Sequence, residues 1–251
     1  MFKVAVIFLT PHCNMRCDFC GAEAGFEPIP YDEAAGLVDR LAQEGTQSVV
    51  LGGGEPFLWP HDLIHLARRV RQRGMLAQVG SNGTLAPADD ALLHEFDRWI
   101  LPLESVSTGV HDAMRHYAGG HLQKVTRLLE RLRAQQVEAT ISSLVSRENL
   151  ESLLEVGELL SSYKRHGGLL HAWHLYRFLP VGRGGSFHAQ RFATDRGVFD
   201  SLGGLVKRRF EGLQIYLRPD MYHSRETSFY WWQDGQLRCQ AAVSGGGIQK
   251  S

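Results

Sequence analysis

Three of the chain's four cysteines fall within the eight residues from Cys13 to Cys20, spaced C-x3-C-x2-C, and the fourth is Cys239. Thiolates this close together can converge on one face of an iron–sulfur cubane, each reaching a different iron. A [4Fe–4S] cluster ordinarily takes four cysteines, so three leave one iron open to another ligand. Zinc is the other occupant that three thiols admit, with His12, His61 or Cys239 completing the set. Structural zinc loops, however, usually pair a C-x2-C with a second such pair, which this sequence lacks. Asn14, Arg16 and Asp18 stand between the cysteines, and polar residues there argue against three merely buried thiols. Disulfides are not expected, because a chain of 251 residues buries a core without them. The apolar run in MFKVAVIFLTPHCNM is about eight residues, short of a membrane span and without a small-residue cleavage site. The expected setting is the reducing cytoplasm, away from membranes.

The cysteine loop needs a scaffold, and the apolar periodicity supplies one. Strands are expected at 2–9, 47–53, 75–81, 98–105, 137–145 and 171–178, with helices at 31–44, 61–73, 87–96, 120–135, 149–162 and 195–210. Pro30 before Tyr31, with Asp32 and Glu33 in the first turn, and Pro87 before Asp89 and Asp90 mark two of the helix starts. Six β-α units in succession predict an α/β fold with a parallel sheet and helices outside it. Six are fewer than the eight of a closed barrel, so the expected form is an open partial (β/α)6 barrel. Ligands of such sheets sit at the carboxyl ends of the strands. The four unusual segments all fall on that rim: the cysteine loop, GGGEP (Gly52 to Pro56), SNGTL (Ser81 to Leu85) and ESVSTG (Glu104 to Gly109).

Charge excludes some partners. Lys plus Arg and Asp plus Glu number 27 each, so a broad footprint for nucleic acid or anionic membrane is not expected. RRVRQR, Arg68 to Arg73, reads as the solvated face of an amphipathic helix whose other face is Leu63, Leu66, Ala67 and Val70.

C-x3-C-x2-C after the first strand, GGGEP after the second, SNG after the third and the six β-α units together resemble the radical S-adenosylmethionine (SAM) superfamily over residues 2–180. The resemblance implies an enzyme with two cofactors, a [4Fe–4S] cluster and SAM. The reduced cluster would cleave SAM to methionine and a 5′-deoxyadenosyl radical that abstracts hydrogen from a substrate. Carried over by position, Cys13, Cys17 and Cys20 would ligate three irons, and Phe19 would lie near the adenine. Gly53, Gly54 and Glu55 would hold the methionine ammonium, where a carboxylate suits a cation. Ser81 and Asn82 would approach the ribose. In ESVSTGVHDAMRHYAGG, residues Glu104, Ser105, His111, Arg115 and Gly119 resemble the family's SLDG…H…R…G segment. There Arg115 would pair with the SAM carboxylate; His111 is expected to make a structural hydrogen bond, with a ligand or proton-relay role as the alternative. Glu104 stands where the family often has aspartate.

Substrate identity would be written after the fifth strand. In WHLYRFLPVGRGG, His174, Tyr176 and Phe178 alternate with Leu175 and Arg177, so one set faces the lumen. Its end resembles a P-x-G-R turn of the superfamily. Arg177 and Arg183, with Tyr176, are the candidate contacts to an anionic substrate. Residues 1–210 are expected as the core and 211–251 as an extension closing the barrel, with a flexible tail. Two further strands are expected in LQIYLRPDMYHS and SFYWWQDGQLRCQ. QDGQLRC resembles the start of the auxiliary-cluster domain of SPASM- and MoaA-like members, but Cys239 is its only cysteine. MYHS…YWW…C is similar to the viperin-like group, which dehydrates nucleotides. The expected substrate is a small nucleotide or phosphorylated molecule, the alternative a peptide or protein. Flavodoxin or ferredoxin would serve as electron donor. A reading of a different class, a non-catalytic iron–sulfur or zinc protein, remains beside these.

Overall fold

The computed structural model describes residues 3–23, 25–117, 119–220 and 226–240. Strand β1 (Val4–Thr10) leads into the cysteine loop, and α1 (Tyr31–Gln43), β2 (Ser48–Gly53), α2 (Leu63–Gln72) and β3 (Leu76–Gly80) follow. Then come β4 (Arg98–Pro102), α3 (Thr108–Arg115), α4 (His121–Ala134), β5 (Glu138–Val145), α5 (Leu153–Arg165) and β6 (Leu170–Arg177). The chain continues through α6 (Gly182–Gly185), α7 (Ala189–Phe192), α8 (Arg196–Arg209), β7 (Ile215–Arg218), β8 (Thr227–Gln233) and β9 (Gln236–Gln240).

The nine strands form one sheet in the order β7-β6-β5-β4-β3-β2-β1-β8-β9, parallel throughout except where β9 returns antiparallel to β8. β7 lengthens the sheet at one end and β8 and β9 at the other, and among the described residues no pairing joins β7 to β9, so the expected closure of the barrel by 211–251 is not seen and the sheet is open. Alternate residues explain which face packs. Ala5, Ile7 and Leu9 of β1, Ala139 and Ile141 of β5, and Trp173 and Leu175 of β6 enter the main core. The helices close that core with Leu37, Val38 and Leu41 of α1, Leu66 and Val70 of α2, and Val125, Leu129 and Leu132 of α4. The intervening strand residues form the concave face.

Three local readings need correction. Residues 87–96 do not form an α-helix. Asp89 caps only a short 3-10 turn, Asp90–Glu95, through a bond accepted from the Ala91 N–H. The fourth strand stops at Pro102, because Ser105 Oγ accepts the Ser107 N–H and turns the chain into α3, a helix not expected from the sequence. SFYWWQDGQLRCQ is a hairpin, β8 and β9, turned by Asp234 and Gly235 at φ of 52° and 68°. The arginines from 68 to 73 do face outward, where Arg68 pairs with Glu95, Arg69 and Arg73 with Asp39, and Arg71 with Asp97. Met221 to Ser224 of MYHS and the tail from 241 lie outside the described residues.

Candidate active site

The cysteine loop is held from every side by elements distant in sequence. The main-chain N–H groups of Gly54 and Glu55 donate to Thr10 O and His12 O, both at 2.7 Å. A side chain at Gly54 would drive into the Pro11 and His12 carbonyls, and Gly53, at φ 134°, into that of Thr10, which accounts for the glycines of GGGEP. Asp18 accepts from Arg191 at 2.8 Å and meets His116 at 2.7 Å. From beyond β6, the Gly184 and Gly185 N–H groups both reach Cys20 O, and Arg183 N–H reaches Ala22 O at 3.0 Å. The P-x-G-R turn is thus the cradle of the cysteine loop.

Each thiol has a nitrogen donor beside it. Asn82 Nδ2 lies 3.8 Å from Cys13 Sγ, Arg115 Nη1 3.9 Å from Cys17 Sγ and Arg183 Nε 3.4 Å from Cys20 Sγ. Burial pushes the Cys13 thiol up, and the Cys17 thiol up to about 11, so these sulfurs keep their protons until a cation replaces them. Three thiols on one short loop, each with an N–H donor beside it, fit an iron–sulfur cluster. Of the zinc partners considered, His61 packs on Trp59 at 5.0 Å and Cys239 sits on β9 opposite Tyr230, while His12 adjoins Cys13.

Glu55 is fully buried. Its carboxylate accepts from Ser81 Oγ at 2.9 Å, Asn82 N–H at 2.8 Å and Phe57 N–H at 3.3 Å, and burial raises its pKa. Ser81 Oγ also accepts the Gly83 N–H at 2.9 Å. Asn82 Oδ1 accepts from Thr84 N–H and Oγ1, and its Nδ2 donates to Asn14 Oδ1 at 2.9 Å. Glu55, Ser81 and Asn82 come together as the residues expected on SAM, yet their side chains here lock the loops after β1, β2 and β3 to each other.

A second buried network holds Arg115. Glu104, 1% exposed, accepts from Arg115 Nε at 2.6 Å and Nη2 at 2.7 Å. Burial alone would raise the Glu104 carboxyl, but the guanidinium overrides it and holds it below the usual range. Arg115 also lies over the Phe19 ring, 5.1 Å from its centroid, and Phe19 meets Phe192 edge-on at 5.8 Å. The Glu104 N–H donates to His111 Nδ1 at 3.2 Å, so the proton of His111 is on Nε2. That proton points to His121 Nδ1 at 2.7 Å, which leaves His121 Nε2–H for Asn82 O at 2.8 Å. Burial pushes the two rings down to about 4 and about 3, keeping both neutral. His111, Asp112 and His121 lie close enough for a metal ion, but all four ring nitrogens are engaged and Asp112 accepts the Leu122 N–H. Both His111 ring nitrogens are taken up by hydrogen bonds within the protein, the arrangement expected of a structural histidine.

The substrate candidates separate. Arg183 belongs to the cysteine loop, with Nη1 donating to Pro11 O at 2.8 Å. Arg177 is in step with Trp173 and Leu175, so it points to the helix side of β6, and its Nε donates to Pro219 O at 3.1 Å. Tyr176 does line the concave face, its hydroxyl 3.4 Å from His174 Nδ1. The cation on that wall is Arg218, overlooked in the sequence because β7 could not be placed in register beside β6. Asp18, flanked by two cysteines, and the glycines of GRGG were the signals of the loop's anchoring that the sequence did offer.

The model of the Radical SAM superfamily matches residues 7–160. An AdoMet-dependent heme synthase of Nitratidesulfovibrio vulgaris is 30% identical over 182 residues, 70% of this chain and 48% of that protein. A GTP 3′,8-cyclase of Limosilactobacillus fermentum is 25% identical over 207 residues, 77% of this chain and 59% of that protein. The chain thus spans about half the length of the heme synthase. SuiB of Streptococcus suis, solved with S-adenosylmethionine bound, shares the fold at a TM-score of 0.70 and 13% identity, covering 88% of this chain and 51% of SuiB. Among the described residues no helix is long and apolar enough to cross a membrane. With the family model covering more than half of it, the chain belongs to the radical SAM superfamily, enzymes that use a [4Fe–4S] cluster and S-adenosylmethionine.

Proposed function

We propose that this chain abstracts hydrogen from a small anionic substrate bound on the concave face of the sheet. When bound, the cluster and SAM supply reductive cleavage to methionine and a 5′-deoxyadenosyl radical. The chain's part is placement. Cys13, Cys17 and Cys20 hold three irons, and Asn82, Arg115 and Arg183 donate toward the sulfurs. Gly53 and Gly54 bring main chain to the methionine end of SAM. Glu55, Ser81 and Asn82 fix that loop's position, Arg115 meets the SAM carboxylate with its remaining Nη1 donors, and Phe19 packs on the adenine. The carrying observation is the set of three thiols on one loop, each beside a nitrogen donor.

An acidic electron carrier such as flavodoxin or ferredoxin in the cytoplasm is the expected reductant. A small substrate is favoured by relatives named for heme and for GTP. A peptide is the second reading, because SuiB was also solved with its precursor peptide SuiA and the sheet of this chain is open. Incubating the anaerobically reconstituted protein with SAM and dithionite should release 5′-deoxyadenosine. None formed by protein carrying a full cluster would refute the reading.

A further inference from the structure

The concave face carries a row of side chains that the cluster and SAM do not use. Strand register sets Leu144 beside Tyr176, Tyr176 beside Arg218, and His174 beside Tyr216. The His174 ring meets Tyr216 edge-on at 5.1 Å, and the Arg218 guanidinium lies over Tyr216, 5.1 Å from its centroid. Their neighbours on β7, Ile215 and Leu217, pack into the core on the opposite side.

Other concave-face arginines are balanced by acids. Arg98 bonds Glu138 at 2.7 Å, Arg115 bonds Glu104, and Arg238 lies 3.9 Å from Asp234. Arg218 pairs with no carboxylate among the described residues, and burial keeps His174 neutral by pushing its pKa down to about 3. Among the described residues, one positive charge therefore stands on an aromatic wall without a counter-charge. The row also leads to the cofactor site. Leu144 packs in the small cluster that includes Phe178, Phe192 and Phe19, and Phe19 lies under Arg115. Further aromatic surface comes from β1 and β8, where Phe8 stacks on Phe229 at 5.9 Å and meets Phe26 at 6.1 Å.

We propose that Arg218, with Tyr216, His174 and Tyr176, binds the anionic group of a flat, unsaturated substrate. The guanidinium takes carboxylate or phosphate oxygens in its fork, and the rings pack against the substrate's face. Adjacent strands lie about 4.8 Å apart, so Arg218 is about 10 Å from Leu144 across two strand spacings. A substrate anchored at Arg218 extends across β6 and β5 toward Leu144 and the Phe19 end. This assignment rests on the hydrogen-abstraction reading and is tested separately from it.

The probe is 8-anilino-1-naphthalenesulfonate, an aromatic anion, compared with its uncharged relative N-phenyl-1-naphthylamine, by anaerobic fluorescence titration of the reconstituted enzyme. Arg218→Met should weaken the anionic probe at least tenfold and leave the uncharged one within twofold, while Arg218→Lys keeps most of the anion's affinity. Displacement by 1-naphthoate or by 1-naphthyl phosphate identifies the preferred acid group. Failure of wild type to bind the anion, equal affinity in wild type and Arg218→Met, equal weakening of both probes, or displacement by neither acid would overturn the assignment. 5′-Deoxyadenosine release by wild type without probe tests the radical reading by itself.

Discussion

Replacing Glu104 with Gln leaves the shape of a buried ion pair and removes half of its charge. Glu104 is 1% and Arg115 12% exposed, joined by two bonds of 2.6 and 2.7 Å. Gln retains one acceptor and turns an N–H pair toward the guanidinium, so Arg115 keeps a buried charge with no partner. Breaking a buried pair from one side costs about 3–5 kcal/mol. At a urea slope of about 3 kcal/mol/M, the midpoint of the cluster-free chain should fall by about 1–1.7 M, read by circular dichroism. Arg115→Met should cost a similar amount, and the double variant much less than the sum, with a coupling above about 2 kcal/mol. The pH dependence should reverse sign. In wild type the Glu104 pKa is lowered, so its contribution is present at neutral pH and lost as pH falls below the ordinary value of 4.5. In Arg115→Met burial acts unopposed and raises it, so stability should fall as pH rises above 4.5. A loss under about 1 kcal/mol in Glu104→Gln, or strict additivity in the double variant, would refute the argument that this pair holds Arg115 in place.

A methyl group at Gly184 would stand 2.5 Å from Cys17 O and 2.9 Å from Cys20 N, both main chain. Gly184→Ala should therefore lift the cradle from the cysteine loop, at about 1–3 kcal/mol, and lower the iron retained per chain. Glu55→Gln sets a donor against the Ser81 hydroxyl or the Asn82 N–H. It should cost about 1–3 kcal/mol and weaken SAM binding about tenfold in calorimetry, and unchanged SAM affinity would show that the β2 loop does not position the cofactor. Below pH 6.5 the unfolded chain protonates His111 and His121 while the folded rings, at about 4 and about 3, do not. Each ring should thus remove up to about 1.4 kcal/mol of stability per pH unit on acidification. His121→Gln, which can still accept from His111 and donate to Asn82 O, should flatten that slope in urea titrations at pH 7, 6 and 5.

The cofactor loops could be read from the sequence because their constraints are local. Three cysteines in eight residues, and glycines where main chain meets main chain, leave a mark in consecutive letters. The alternation of apolar runs likewise revealed the parallel β-α order. What could not be read depends on register and long-range pairing. Glu55, Ser81 and Asn82 stood out by position, but only the fold shows that they bond one another. Arg183 read as a substrate anchor because it follows β6, whereas the close approach of Gly182 and Gly184 to the main chain of the cysteine loop carries it there. Arg177 and Arg218 differ by which side of a strand they occupy, and one residue of register decides it. Residues 87–96 read as a helix from their apolar spacing, whereas the structure holds only a 3-10 turn over Asp90–Glu95.

The central claim is that Cys13, Cys17 and Cys20 carry a [4Fe–4S] cluster with one iron left for SAM. Iron and acid-labile sulfide should be counted on protein reconstituted without oxygen, with the reduced cluster's electron paramagnetic resonance recorded before and after SAM is added. The account predicts about four irons and four sulfides per chain, and a spectrum that changes with SAM. Both the cluster and its signal should be lost in Cys13→Ala, Cys17→Ala and Cys20→Ala and retained in Cys239→Ala. One tightly held zinc with no sulfide, or a spectrum indifferent to SAM, would contradict it.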